Sequence, residues 1–329
     1  MHLTSYLGHY LPHQRNTSPN TIKAYRDVFT LLLRYCKEKR NIPPEKLKIE
    51  DLDAKMIADF LGYVQKERRC GEYTRNHRLA VLRSFFRYVQ DEEPQLILHC
   101  QKILAIPMKR HETCEIGYLS PDEIASILNQ PNLKTSIGRR DAVLLSLLYD
   151  TGARVQEIID LTIHDVRLEP PAQIRLTGKG RKTRVVPLMK QTAQLVEGHM
   201  KEHNLNHDEN SGNPLFANRY GERLSRSGVR IILEKHVESA RVTTPSLRDG
   251  ISPHTFRHSK AMHLLQVGNP LIVIKHILGH ADIATTQMYV KADTEMKRKA
   301  LEKAAGVSKP LAVPPWQKKP EIMGWLKSL

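Results

Sequence analysis

His254-Thr255-Phe256-Arg257-His258 stands near the end of this chain, followed by Leu278-Gly279-His280 and Tyr289, and Thr151-Gly152-Ala153-Arg154-Val155-Gln156-Glu157 lies well upstream. Two arginines, several histidines and a tyrosine are side chains suited to phosphate chemistry. A guanidinium presents a planar fork of donors that matches phosphate oxygens, so two of them neutralise a non-bridging pair without a metal. A tyrosine hydroxyl held there can attack phosphorus. At an ordinary pKa of about 10 it needs an adjacent base and local positive charge. The histidines and arginines can supply both. Each piece alone also has a plain structural reading: Arg154 with Glu157 as a surface ion pair, Tyr289 as a core residue, His258 as buried support or a hydrogen bond of the site.

These side chains need elements to position them. Ser252 can cap a helix whose first turn holds Pro253 and His254, so that His254 and Arg257 share one face near the positive helix end, where a phosphate meets backbone N–H groups and a guanidinium together. Arg154 and Glu157 have the same three-residue relation on a second presumed helix, reached from an apolar helix that starts near Arg140. Tyr289 follows a capping Asp282 on a helix where Ile283, Thr286 and Val290 fall close to it. Strand-like runs at residues 172–176 and 183–188 flank the turn Gly178-Lys179-Gly180-Arg181-Lys182 and form the clearest strand signal. That turn lacks the spacing of a phosphate-binding nucleotide loop and is followed by a strand pattern, so no ATP requirement is expected.

The first hundred or so residues read as helices. Ser18-Pro19 opens one carrying Ile22, Tyr25, Val28, Phe29, Leu32 and Leu33, and Asp53 caps the next, with Met56, Ile57, Phe60, Leu61 and Val64 inward. A third follows Gly71, where Arg75, Arg78, Arg83 and Arg87 make either a face for DNA phosphates or an ordinary solvated face. Residues 106–117, with Lys109-Arg110, read as an exposed basic linker, and Ser120-Pro121-Asp122-Glu123 is a strong helix start beyond it. The expected organisation is therefore a helical domain over residues 1–105, the linker at 106–117, a second domain over 118–305 that carries the candidate chemistry, and a tail at 306–329. The tail's Trp325, Leu326 and Leu329 are apolar enough to call for a partner surface.

The chain has 329 residues and a formal charge of +16, which indicates a polyanionic partner, since neutralising phosphates releases counterions. No apolar run approaches the roughly 18 residues of a spanning helix, and Met1-His2-Leu3 begins no signal peptide, so a cytoplasmic protein is expected, with no membrane partner. Cys36, Cys70, Cys100 and Cys114 are scattered and suit reduced structural thiols. His111-Glu112-Thr113-Cys114 could be half of a metal site, but no second half lies nearby, so no metal and no other cofactor is expected.

The order and spacing of these pieces resemble the tyrosine recombinases, also called the phage integrase family. The resemblance covers about residues 18–305, tight in the second half and loose in the first, and it is specific as a combined pattern. Departures are mild: Phe256 where Leu is frequent, and Val290-Lys291 after the tyrosine. The resemblance implies a mainly α fold with a small β-sheet, a SAM-like helical core-binding domain plus an α+β catalytic domain. It implies attack of Tyr289 on a DNA phosphodiester to give a 3′-phosphotyrosyl bond and a free 5′-hydroxyl, with Arg154, Arg257, His254 and His280 around the transition state and His254 as proton acceptor. Glu157 would hold Arg154 flat, and Lys179 would protonate the departing 5′ oxygen, although Arg181 and Lys182 beside it also allow a plain phosphate-gripping turn. The expected assembly is a homotetramer on two double-stranded DNA recombination sites, clamped by both domains, with sibling recombinases or accessory DNA-bending proteins as further partners, in a bacterial nucleoid. Integration or transposition of a mobile element is the expected role. Xer-like dimer resolution and type IB topoisomerase-like relaxation are the alternatives.

Overall fold

The computed structural model describes residues 2–110, 117–205, 212–280 and 282–292, with Arg298 and Gly324. The chain is mainly helical with one small sheet, and it divides into two compact units, Met1–Cys114 and Glu115–Leu329. His111-Glu112-Thr113-Cys114 and, apart from Gly324, the tail from 306 onward lie outside the described residues. None of the described helices is long and apolar enough to cross a membrane.

The first unit packs α1 (His2–Ser5), a π-helical continuation (Tyr6–Gln14), α2 (Pro19–Arg40), α3 (Ala54–Lys66), α4 (Glu72–Glu92) and α5 (Ile97–Leu104). Ser18 caps α2 through Thr21 N, and Asn41 ends it in the left-handed region at φ 56°. The first fourteen residues carry no strong periodicity, yet Tyr6 anchors them: its ring is buried edge-on to Phe85 at 5.3 Å and its hydroxyl donates to Ser84 Oγ at 2.8 Å. Burying an apolar ring of this size contributes about 1.5–3 kcal/mol, enough to dock a segment with little intrinsic helix preference.

The arginines of α4 do not form one open basic face. Arg75 is buried and donates from Nη1 to Pro107 O at 2.9 Å and to Asn76 Oδ1 at 3.0 Å. Asn76 Nδ2 donates to Lys109 O at 2.7 Å and its Oδ1 accepts from Lys109 N at 3.0 Å, while Arg83 donates to Ile106 O. Residues 106–109 leave α5 without a helical ladder, so their carbonyls and N–H groups need partners, and α4 supplies them. Arg78 is half-buried, Lys109 Nζ donates to Gln65 Oε1 at 2.7 Å, and Arg87 and Arg110 are exposed.

The second unit opens with α6 (Pro121–Leu128), where Ser120 and Glu123 complete a reciprocal capping box, followed by α7 (Ser136–Asp150) and the short α8 (Val155–Ile159). A three-stranded antiparallel sheet follows in the order β1 (Val166–Arg167), β2 (Gln173–Thr177), β3 (Thr183–Pro187), with Ile174 opposite Val186 and Thr177 opposite Thr183. The two-residue β1 is too short to carry a period and is not legible beforehand. Then come α9 (Lys190–Glu202), α10 (Arg226–Arg241), α11 (Pro253–Gln266), α12 (Leu271–Leu278) and α13 (Ala284–Ala292). The main core joins α6, α7, β2, β3 and α10 through Ile124, Leu144, Ile174, Val186 and Leu233, and a smaller one joins α11, α12 and α13 through Met262, Ile274, Leu278 and Tyr289.

Candidate active site

The turn after α7 sets the first part of the site. Gly152 has φ +56°, and a Cβ there would lie 2.6 Å from Leu278 Cδ2, so both backbone conformation and the close approach of α12 require glycine. The turn delivers Arg154 to the N-cap position of α8. Glu157, buried, accepts from Arg154 N at 2.9 Å through Oε2 and from Arg154 Nη1 at 2.9 Å through Oε1. A second guanidinium completes the arrangement: Arg184 Nη2 donates to Glu157 Oε2 at 2.8 Å and its Nε to Ile277 O at 2.7 Å. Burial pushes the Glu157 carboxyl up, but the hydrogen bond and charge of Arg184, with the backbone and side-chain hydrogen bonds of Arg154, outweigh it and hold the group below the usual carboxylate range.

Arg184 carries no motif of its own in the sequence. The available signal was strand alternation: in β3 the inward positions are Arg184 and Val186, so the arginine points where a core residue would and must find a partner there. The same packing explains Gly178, since a Cβ on it would lie 2.8 Å from Glu157 Oε1. The turn of Lys179, Gly180 and Arg181 therefore leaves the sheet at the edge of the Arg154–Glu157 pair, with Arg181 and Lys182 exposed.

The second part comes from α11. Ser252 Oγ accepts from Thr255 N, and Pro253 fills the first turn, as the sequence implies. Arg257, only 3% exposed, donates from Nη1 to Gly152 O at 2.6 Å and from Nη2 to Leu278 O at 2.7 Å, tying α11 to the turn after α7 and to the end of α12. Burial and the nearby Arg154 guanidinium bring its pKa down to about 10, so it stays charged at neutral pH. Two of the roughly five guanidinium N–H donors are taken by these carbonyls.

The third part is the segment from α12 to α13. Gly279, at φ +66°, ends α12 and turns the chain into His280. His280 Nδ1 pairs with Thr286 Oγ1 at 2.9 Å, and its ring stacks on Tyr289 with centroids 6.3 Å apart and planes 14° from parallel. Burial, with Arg257, Arg154 and Arg184 around it, pulls His280 down to about 4, so it is neutral near pH 7. Tyr289 is buried, and its hydroxyl hydrogen-bonds to His258 Nδ1 at 2.9 Å. Burial raises the Tyr289 pKa, with Arg257 and Arg154 opposing the rise. His254, by contrast, is exposed. Among the described residues it has no hydrogen-bonding partner, and its ring lies 6.5 Å from that of His258.

Arg154, Glu157, Arg257, His258, His280 and Tyr289 thus converge from three separate segments, and the Arg154 and Arg257 guanidiniums act on the tyrosine electrostatically. Fixed positive charge, neutral imidazoles and a hydroxyl gathered in this way can stabilise the negative charge that develops in a reaction at phosphorus. Residues 117–296 match the phage integrase family, and residues 3–93 match its N-terminal SAM-like domain. The chain belongs to the phage integrase family. A protein of Sinorhizobium fredii named as an integrase/recombinase, y4rC, is 37% identical over 93% of this chain and 91% of its own length. The tyrosine recombinase XerC of Pelotomaculum thermopropionicum is 33% identical over 92% of this chain and 97% of its own. Among solved structures, the XerH site-specific recombinase bound to its difH substrate in a pre-cleavage complex superposes with a TM-score of 0.66 at 25% identity, over 89% of this chain and 81% of that one. The chain is accordingly an enzyme of the tyrosine-type site-specific recombinases. All six converging residues fall inside the matched catalytic region.

Proposed function

We propose that this recombinase cleaves and rejoins double-stranded DNA through a 3′-phosphotyrosyl intermediate on Tyr289. The observation that carries the reading is the gathering of Tyr289, Arg154 and Arg257 in one cluster, with His280 held neutral against the tyrosine ring. In this mechanism the Tyr289 oxygen bonds to phosphorus while the bond to the 5′ oxygen breaks. Arg154 and Arg257 neutralise the non-bridging oxygens, with His254 and His280 as further donors to the transition state. Glu157 keeps Arg154 in place. Lys179 protonates the departing 5′ oxygen, a contribution typically worth about 10²- to 10⁴-fold. The covalent link retains the phosphodiester's energy, so a 5′-hydroxyl from another strand reseals it, and swapped ends give strand exchange.

The first unit, with residues 106–110, contributes DNA affinity, chiefly through exposed cations such as Arg87 and Arg110, and four protomers act on two sites with the tail passed to a neighbour. The setting we favour is integration or transposition of a mobile element, in keeping with the relative named as an integrase/recombinase. Dimer resolution is the second reading, favoured by the XerC relative. Mapping the DNA that the purified protein protects near its own gene separates them: element ends support the first, and a chromosomal or plasmid resolution site the second. The chemistry is tested by incubation with a nicked suicide site and a denaturing gel. A protein–DNA adduct is expected, and Tyr289→Phe abolishes it. An adduct of equal yield in that variant rules the nucleophile out. For Lys179→Ala, a substrate with a better leaving group restores cleavage, and failure to do so leaves Lys179 a phosphate-gripping residue.

A further inference from the structure

We propose that His258, and not His254, is the proton acceptor for Tyr289. The inference rests on the phosphotyrosyl reading above and assigns one of its steps to a specific atom.

Three observations carry it. The first is contact: the Tyr289 hydroxyl hydrogen-bonds to His258 Nδ1 at 2.9 Å, within the roughly 2.6–3.2 Å reach that proton transfer to a base requires, whereas His254 is exposed with no hydrogen-bonding partner among the described residues. The second is construction. His258 lies one residue beyond Arg257 on α11, whose side chain is clamped to Gly152 O and Leu278 O, so the imidazole is held by the same helix turn that holds a phosphate-binding guanidinium. His280 stacks on the tyrosine with its own Nδ1 paired to Thr286 Oγ1, and among the described residues the tyrosine hydroxyl's hydrogen bond is to His258. The third is protonation. Burial, with the charges of His254 and Arg257, holds His258 below the ordinary histidine value, so at neutral pH it is an uncharged imidazole able to accept. An acceptor at Nδ1 carries its hydrogen on Nε2.

The step balances. As the Tyr289 oxygen forms its bond to phosphorus, its proton passes to His258 Nδ1 and gives an imidazolium. The P–O5′ bond breaks and the leaving oxygen takes a proton from the general acid of the turn. On rejoining, the 5′-hydroxyl attacks and surrenders its proton to the now deprotonated group of the turn, and the His258 imidazolium returns its own to the departing tyrosine oxygen. His254, on the first exposed turn of the same helix, is left to bind the phosphate with Arg154 and Arg257.

Single-turnover cleavage of a nicked suicide substrate between pH 5 and 9 tests the assignment, with wild type, His258→Gln, His258→Ala, His254→Gln and Tyr289→Phe. Each variant is first shown by gel shift to bind the site and by circular dichroism to be folded. Glutamine keeps hydrogen-bonding capacity and cannot take the proton. His258→Gln is expected to cleave about 10²-fold or more slowly and to lose the acidic limb of the pH profile. Replacing Tyr289 in that variant with a fluorinated tyrosine, whose hydroxyl ionises more readily, is expected to recover at least tenfold, with little recovery in His254→Gln. His258→Gln within threefold of wild type, an unchanged acidic limb, or a loss that fluorotyrosine does not recover each overturns the proposal. An adduct surviving in Tyr289→Phe would instead overturn the phosphotyrosyl reading itself, so the two failures are distinct.

Discussion

Glu157 shows how a residue that touches no substrate can decide whether a site exists. It is buried between Arg154 and Arg184, two guanidiniums that would repel each other without it. Glu157→Gln leaves both cations with a neutral acceptor, and removing one partner of a buried pair costs about 3–5 kcal/mol. We expect a loss of stability of that order in denaturant unfolding, together with a loss of cleavage larger than the loss of DNA binding. The pH dependence has a definite sign. Glu157's carboxyl is lowered in the fold, so its contribution is present above the unfolded carboxylate value of about 4.3 and lost as pH falls through the folded value. His280 is lowered to about 4 from an ordinary value near 6.5, so the unfolded chain binds more protons across that window and stability falls as pH drops through it. Thermal unfolding from pH 7 to pH 4 should show a decline that His280→Gln reduces. A decline of the same size in that variant would remove His280 as its source.

At the scale of elements, the glycine turn after α7 governs how α8, α11 and α12 meet. Gly152→Ala adds a Cβ at positive φ that runs into Leu278, which we expect to cost about 1–3 kcal/mol and to weaken cleavage by shifting the carbonyl that holds Arg257. Equal stability and activity in that variant would show that the turn adapts. This geometry also marks how much was legible beforehand. The caps at Ser18, Ser120 and Ser252, the hairpin around Gly178-Lys179-Gly180, and the helices carrying Arg257 and Tyr289 follow from local capping, turn and periodicity rules, and the structure has them. What was not legible is long-range. Arg75 and Arg83 are indistinguishable in sequence from surface cations, because only the fold brings the unpaired carbonyls of residues 106–107 against α4. His258 likewise reads in sequence only as buried support or a hydrogen bond of the site, with His254 as the expected acceptor, until α13 lays the Tyr289 hydroxyl against His258. The arginines give a matched test: Arg87→Ala should weaken DNA binding and reduce the salt slope by about one unit while leaving stability intact, and Arg75→Ala should chiefly destabilise the first unit.

For the molecule as a whole, the charge of +16 and the two helical units fit an enzyme that gains affinity from phosphates and catalyses through one compact cluster. Deleting residues after 306 should weaken synapsis of two sites while sparing binding of one protomer, and unchanged synapsis would remove the shared tail from the account. The central claim is a covalent bond between one tyrosine and a 3′ phosphate, and it can be read directly. A nicked recombination site that the protein binds is allowed to react, the product is digested with trypsin, and the DNA-linked peptide is sequenced by mass spectrometry. Linkage is expected through Tyr289, within the tryptic peptide spanning residues 276–291, to a DNA 3′ phosphate with the opposing 5′ end left as a hydroxyl. A link to any other residue, a link to a 5′ phosphate, or cleavage with no covalent product would contradict it.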